Sequence, residues 1–217
     1  MRQSFTVTSP APDKSLVTIQ QLRIAAGLEG SDNSRDAELL LLGEAISADI
    51  ATACNVADDG VSIPTLRRET IVETFWLSDR WDELFLSRRF VSAISVVTEA
   101  GVTLVPADHA LDRAAGLLSR SRSGRPCAWG LGEGSVTYDA GFDTVPADLA
   151  AAALDLARIR LSSGSRDPLV KSESIEVPDI QTKRQDFWVG ALPGSAAGPV
   201  PADILARLSR YMNVALA

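Results

Sequence analysis

Between residues 66 and 142 the chain alternates with the period of a strand, while on both sides it repeats with the period of a helix. This change of grammar limits the fold more than any other feature. The second boundary lies in residues 136–160, VTYDAGFDTVPADLAAAALDLARIR. Val136, Tyr138 and Ala140 alternate with Thr137 and Asp139, which places them on opposite faces of a strand. After Gly141 a helix opens at Pro146. Proline in a first turn lacks only a donor that would be unpaired anyway, and Asp148 favours the positive end of the helix dipole. Leu149, Ala152, Ala153 and Leu156 then fall on one side of a helix over about 146–161. The string Ala150–Ala153 removes bulk and invites close approach by another helix.

The first boundary has a similar partner. Leu39, Leu42, Ile46, Ile50 and Ala53 recur at steps of three and four, giving an apolar face on a helix over about 36–54. Leu40 and Leu41 widen that face beyond one stripe. Two arrangements would use the excess: a helix buried wholly within one subunit, or one packed by its own subunit and by a neighbour. Thr18 suits the N-cap of a short helix over about 18–26. Residues 1–14 are polar, carry Pro10 and Pro12, and read as a flexible lead-in.

Within the β-rich stretch, LRRETIVETFWL sets Ile71, Phe75 and Leu77 on one face and Thr70, Val72, Thr74 and Trp76 on the other. Further strands are expected near 84–86 and 91–97. The turn EAG leads into VTLV as a hairpin, and a weaker strand covers about 116–120. A basic loop, SRSGRP, and a strand over 135–140 complete the set. After Leu161 all period is lost until Pro201, where a terminal helix over about 201–212 begins. A segment that long without structure of its own usually serves docking or function. It is not inert, because Phe187, Trp188, Val189 and Leu192 lie inside it, and tryptophan is enriched among residues that anchor interfaces. Extended at about 3.3 Å per residue, such an arm spans on the order of 100 Å. The expected fold class is therefore α+β: a core over 15–161 that joins a small helical bundle to an antiparallel insertion over 66–142, followed by a C-terminal docking arm over 162–217.

Composition narrows the function classes. A net charge of −7 argues against a general nucleic-acid binder, which normally carries a basic excess. Cys54 and Cys127 stand far apart without metal-ligand spacing, so reduced thiols in a cytoplasmic setting are the expectation. The N-terminal MRQSFTVTSPAPDKS has no apolar core of signal-peptide length, and no apolar run is long enough to span a bilayer.

The motifs that would carry chemistry are weak. His109 is the only histidine and has no serine or cysteine nucleophile beside it. GLGEG at 130–134 precedes a strand, whereas a phosphate cradle precedes a helix. Asp58-Asp59-Gly60 lacks the further oxygen ligands of a calcium loop. Asp79, Asp82 and Glu83 beside Trp76 and Trp81 would be the carboxylates of a small carbohydrate-active or hydrolytic enzyme, though nothing in their spacing makes them converge. Arg120, Arg122 and Arg125 form a basic cluster that could meet phosphate or an acidic partner surface, or simply stand in solvent.

Several pieces, taken in order, resemble one family. They are SLVTIQQLRIAAGL, RDAELLLLGEAISADIATACN, LFLSRRFVSAISVVTEAGVTLV with its paired arginines, a degenerate GLLSR, and VTYDAGF followed by VPADLAAAALDLARIRL. Together, over residues 15–161, they resemble the head–tail connector proteins, or adaptors, of long-tailed bacteriophages and of phage-derived gene transfer agents. The resemblance implies a structural virion protein with no catalytic residues and no cofactor. It implies a self-assembled ring, commonly a dodecamer, that sits beneath the portal protein and extends the DNA channel toward a neck, stopper or tail protein. DNA would pass through without sequence-specific binding. Leu39, Leu42, Ile46, Ile50, Leu149 and Leu156 would then pack the bundle or the subunit contacts, and the arm would dock on a partner. A stopper or tail-completion protein is the alternative within the same neck.

Overall fold

The computed structural model describes residues 1–163, 172–177, 181–186 and 198–213. The chain divides into two compact units. One is built on Met1–Lys14 and Asn55–Val145, with Asn213 added. The other is built on Ser15–Cys54 and the described residues from Pro146 to Met212. The fold is α+β, and its strand pairings are antiparallel apart from one isolated bridge between Arg67 and Phe142.

The helical unit contains α1 (Ile19–Ala25), α2 (Asp36–Ala53), α3 (Ala147–Ser163) and α4 (Ala202–Leu208). Thr18 closes a full capping box on α1: its hydroxyl accepts from Gln21 N, and the Gln21 side chain accepts from Thr18 N at 2.9 Å. Gly43 lets α1 lie close to α2, because a Cβ there would meet Leu22 Cδ1 at 2.9 Å. Arg23 locks the pair by donating from Nε to Asp36 Oδ1 at 2.8 Å. α3 packs against α1, α2 and α4. Its buried face is Leu149, Ala152, Ala153, Leu156 and Ala157. Fully burying a leucine side chain contributes about 1.5–3 kcal/mol, so Leu149 and Leu156 alone are a substantial share of this unit's stability.

α4 corrects the expected boundary of the docking arm. Ile204, Leu208 and Tyr211 are buried, and Tyr211 donates its hydroxyl to Asp148 Oδ1 at 2.7 Å. The terminal helix expected over about 201–212 within the arm is thus packed into the helical unit through these three residues. The same unit contains β10 (Ser172–Val177) and β11 (Gln181–Asp186), which pair with each other over six residues. A hairpin therefore stands in the region expected to have no regular structure. Its polar strands give too weak an alternation to read from sequence.

The β unit contains two sheets. The first runs β1 (Arg2–Ser9), β2 (Glu69–Leu77), β9 (Gly132–Ala140), β4 (Val91–Glu99) and β5 (Val102–Thr103). The second places β7 (Leu117–Arg122) against β6 (His109–Asp112) on one side. On its other side lie β3 (Glu83–Phe85) and β8 (Arg125–Cys127). Ile71, Phe75, Val97, Val136 and Tyr138 from the first sheet share one core with Leu84, Leu118 and Trp129.

Two expectations fail here for identifiable reasons. Residues 1–14 are not a loose lead: β1 pairs along β2 from Arg2↔Trp76 to Ser9↔Thr70. On its inward face only Phe5 and Val7 are apolar, beside Gln3, and the serine and threonines that alternate with them hide the pattern, although threonine itself suits a strand. Nor is SRSGRP a loop. Ser123 and Gly124 both take positive φ, 52° and 74°, which is the two-residue turn that matches strand twist, so β7 and β8 form a tight hairpin.

Candidate interaction surface

Two polar features of the β unit bear on function: a network centred on buried carboxylates and an open groove. The sealed network begins on β2, where Glu69 and Glu73 occupy the same inward face as Ile71 and Phe75. Both carboxylates are buried. Glu73 accepts from Ser87 Oγ at 2.6 Å, from Ser87 N, from Gln3 Nε2 and from Tyr138 Oη at 2.8 Å. Burial raises the pKa of Glu73 above the usual carboxylate value, and these four donors hold it back. Burial also keeps the Tyr138 phenol well above its ordinary pKa, so it remains a donor. Arg88 Nη2 lies 3.3 Å from Glu69 Oε2, and Arg88 Nη1 donates to Thr65 O at 2.7 Å. The paired arginines therefore divide: Arg88 points inward, while the less buried Arg89 donates to Ala114 O at 3.0 Å. Sequence reasoning missed this network. Its trace was visible in ETIVETF, where glutamates at 69 and 73 interrupt the apolar face that it identified.

The groove lies at the β4–β5 end of the first sheet. Val102, Leu104, Leu131, Arg80, Arg122 and Cys127 line it, with a volume of about 550 Å³. Val102 and Leu131 are more than 60% exposed, and Val96 and Val105 add further exposed apolar surface in the same unit. Arg120, at the groove floor, does not act as expected. It is buried, donates from Nε to Glu99 Oε2 at 3.0 Å, and donates from Nη1 to Asp108 O at 2.7 Å. Glu99 in turn accepts from Gly130 N at 2.7 Å. Placing Arg120 on a strand rather than a loop turns its guanidinium inward, so it is a structural cation and not a surface contact. Arg122 and Arg125 are exposed on the β7–β8 hairpin.

His109 opens β6 beside this cluster. Burial lowers the imidazole pKa, and the nearby Arg120 cation acts in the same direction. Asp79, Asp82 and Glu83 are exposed and face solvent. Among the described residues, no group of three or more His, Cys, Asp or Glu could hold a metal ion. Cys54 is buried, and burial pushes its thiol up to about 11. No described helix is long and apolar enough to cross a membrane.

In the helical unit Leu39, Ile46 and Ile50 are buried and Leu42 is half-buried. Leu40 and Leu41, however, are 50% and 69% exposed, and Ile24 on α1 is 64% exposed. The excess apolar surface of α2 is thus left uncovered by the described residues of this chain. Phe187, Trp188, Val189 and Leu192 lie outside the described residues.

No protein-family model matches the chain, and no curated protein matches it in sequence. Its fold, however, is similar to chains in three solved structures. A chain from the neck of an empty gene transfer agent (GTA) particle, computed with C6 symmetry, is 19% identical with a TM-score of 0.57. A chain from the virion of a native gene transfer agent particle is 18% identical with a TM-score of 0.56. A chain from the neck of a native GTA particle, computed with C12 symmetry, is 16% identical with a TM-score of 0.55. Each likeness covers 98% of this chain and 97% of the other.

Proposed function

We propose that this chain is a structural head–tail adaptor of a phage or gene transfer agent particle. Copies of it close into a ring beneath the portal protein, extend the DNA channel and join the capsid to the next neck or tail protein. The observation that carries this reading is the end-to-end likeness to chains of gene-transfer-agent neck structures, since both units of the fold are included. On this reading the chain belongs to the virion neck and is assembled beforehand in the bacterial host cytoplasm.

The surface supports the same reading. A closed ring of identical copies needs two different patches on each copy, one meeting the other on its neighbour. The Leu40–Leu41 surface of the helical unit and the Val102–Leu131 groove of the β unit are two separate apolar regions suited to protein contact. The net charge of −7 suits a channel that must not hold DNA tightly. Arg122 and Arg125 offer cations to an acidic partner surface, and Phe187, Trp188, Val189 and Leu192 supply the aromatic and apolar anchors of the arm. No bond-making step is assigned to any residue.

The test is to mix the purified chain with portal assemblies and image the product. A ring of this chain seated on the portal is the expected result. Failure to bind any portal, or absence of the chain from the neck of intact particles, would remove the adaptor reading.

A further inference from the structure

The sheet edges of this protein are unequal. β1 carries a bulge between Val7 and Ser9, its Val7 N–H is taken by Asp59 Oδ2 at 3.1 Å, and Pro10 follows. β4 has two register irregularities, and Arg113 bonds its start through both backbone and guanidinium. β5 has two residues, β3 has three, β6 has four, and β8 has three with Pro126 among them. Short, bulged, capped or proline-bearing edges are the devices by which sheets avoid pairing with other chains.

The β10–β11 hairpin has fewer of them: Pro178 follows β10 as Pro10 follows β1, and both strands carry charges, but neither strand is bulged or shorter than six residues. Its six pairs run from Ser172↔Asp186 to Val177↔Gln181 without a register shift, and neither strand contains proline. It is a sheet of its own, pairing with no other strand among the described residues. An isolated two-stranded hairpin is marginal in water, and a third strand or a packed helix is what ordinarily secures it.

The strand sequences indicate which strand that is. β10, SESIEV, carries Glu173 and Glu176 and no cation, a formal charge of −2. β11, QTKRQD, carries Lys183, Arg184 and Asp186, a formal charge of +1. Pairing β10 with β10, or β11 with β11, about a two-fold axis sets like charges side by side, which destabilises a sheet. Pairing β11 of one copy with β10 of the next sets basic beside acidic. It also keeps the strands antiparallel when neighbours are related by rotation about a ring axis.

We infer that the β10–β11 hairpin is a head-to-tail self-assembly element, β11 of each copy adding to β10 of the next to form a continuous antiparallel sheet around the ring. This rests on the ring reading given above. It identifies the hairpin's occupant as a second copy of this chain.

The test uses the full chain in two charge variants. In one, Glu173→Lys and Glu176→Lys make both strands basic; in the other, Lys183→Glu and Arg184→Glu make both acidic. Sedimentation velocity over a concentration series up to several hundred micromolar measures association, and circular dichroism checks that each variant folds. The wild type should associate, and each variant alone should do so about tenfold more weakly. An equimolar mixture should recover wild-type association, because every junction then pairs a basic strand with an acidic one. Variants that associate as well as wild type, a mixture that stays weak, or a wild type that remains monomeric throughout would each overturn the proposal. The two readings fail separately: variants that still form a normal ring on the portal would sink the hairpin and leave the adaptor standing, whereas a wild type that binds no portal would sink the adaptor.

Discussion

Tyr138→Phe is a test of the sealed network because its effect should depend on pH in a direction that the geometry dictates. The substitution removes one oxygen and leaves the ring in the core. The lost bond runs from Tyr138 Oη to Glu73 Oε2 at 2.8 Å, between fully buried groups. A hydrogen bond to a charged group contributes about 1.5–3 kcal/mol, against about 0.5–1.5 for a neutral one. Glu73 has a raised pKa in the folded state, so its contribution is fully present below the unfolded carboxylate value and is lost as pH rises through the folded one. Removing a donor to the carboxylate raises the folded value further. Each additional tenfold weakening of the acid costs about 1.4 kcal/mol at a pH where the group must ionise. The variant should therefore lose about 1 kcal/mol near pH 4 and about 2–3 kcal/mol near pH 8. Urea denaturation followed by tryptophan fluorescence at the two pH values measures this, since Trp129 lies in the same core. An equal loss at both values, or a larger loss at acid pH, would refute the argument.

Leu156→Ala should destabilise the helical unit by about 2–5 kcal/mol, because the residue is fully buried on α3; a thermal melt by circular dichroism would show it. Leu40→Ser with Leu41→Ser should shift that melt by no more than about 0.5 kcal/mol, the usual range for exposed positions, yet reduce recovery of the chain in purified particles. Asp148 is held below the usual carboxylate pKa, chiefly by the Tyr211 hydroxyl. Its contribution is present above the unfolded value and lost as pH falls through the folded one, so Asp148→Asn should flatten the acid side of the stability profile measured from pH 7 to pH 3.

The helices were legible wherever a buried stripe was long. Leu39, Ile46 and Ile50 announce α2, and Leu149 and Leu156 announce α3, through the helical period alone. Strands announced themselves where β-branched and aromatic residues alternate, as in residues 69–77. What escaped was structure whose partner lies far away in sequence. β1 has two apolar residues and is a strand because β2 offers it an edge. Arg120 looks like a loop cation until Glu99, twenty-one residues earlier, is placed beside it. The inward glutamates of β2 break the apolar pattern and reveal their logic only with Tyr138, Ser87 and Gln3 in place. Polar pairing carries no period, so a one-dimensional reading has nothing to detect. The Leu40–Leu41 surface is the converse case, since the sequence shows the excess of leucine and the fold leaves it uncovered.

The pairing of β1 with β2 sets an order of events during synthesis. Gln3 and Glu73 are separated by 70 positions, so β1 has no sheet to join until β2 has also left the ribosome. Closing so wide a loop is slow compared with forming a local turn. β1 therefore stays unpaired while the residues up to β2 are synthesised, at about 5–20 residues per second, and its unbonded backbone is exposed for that interval.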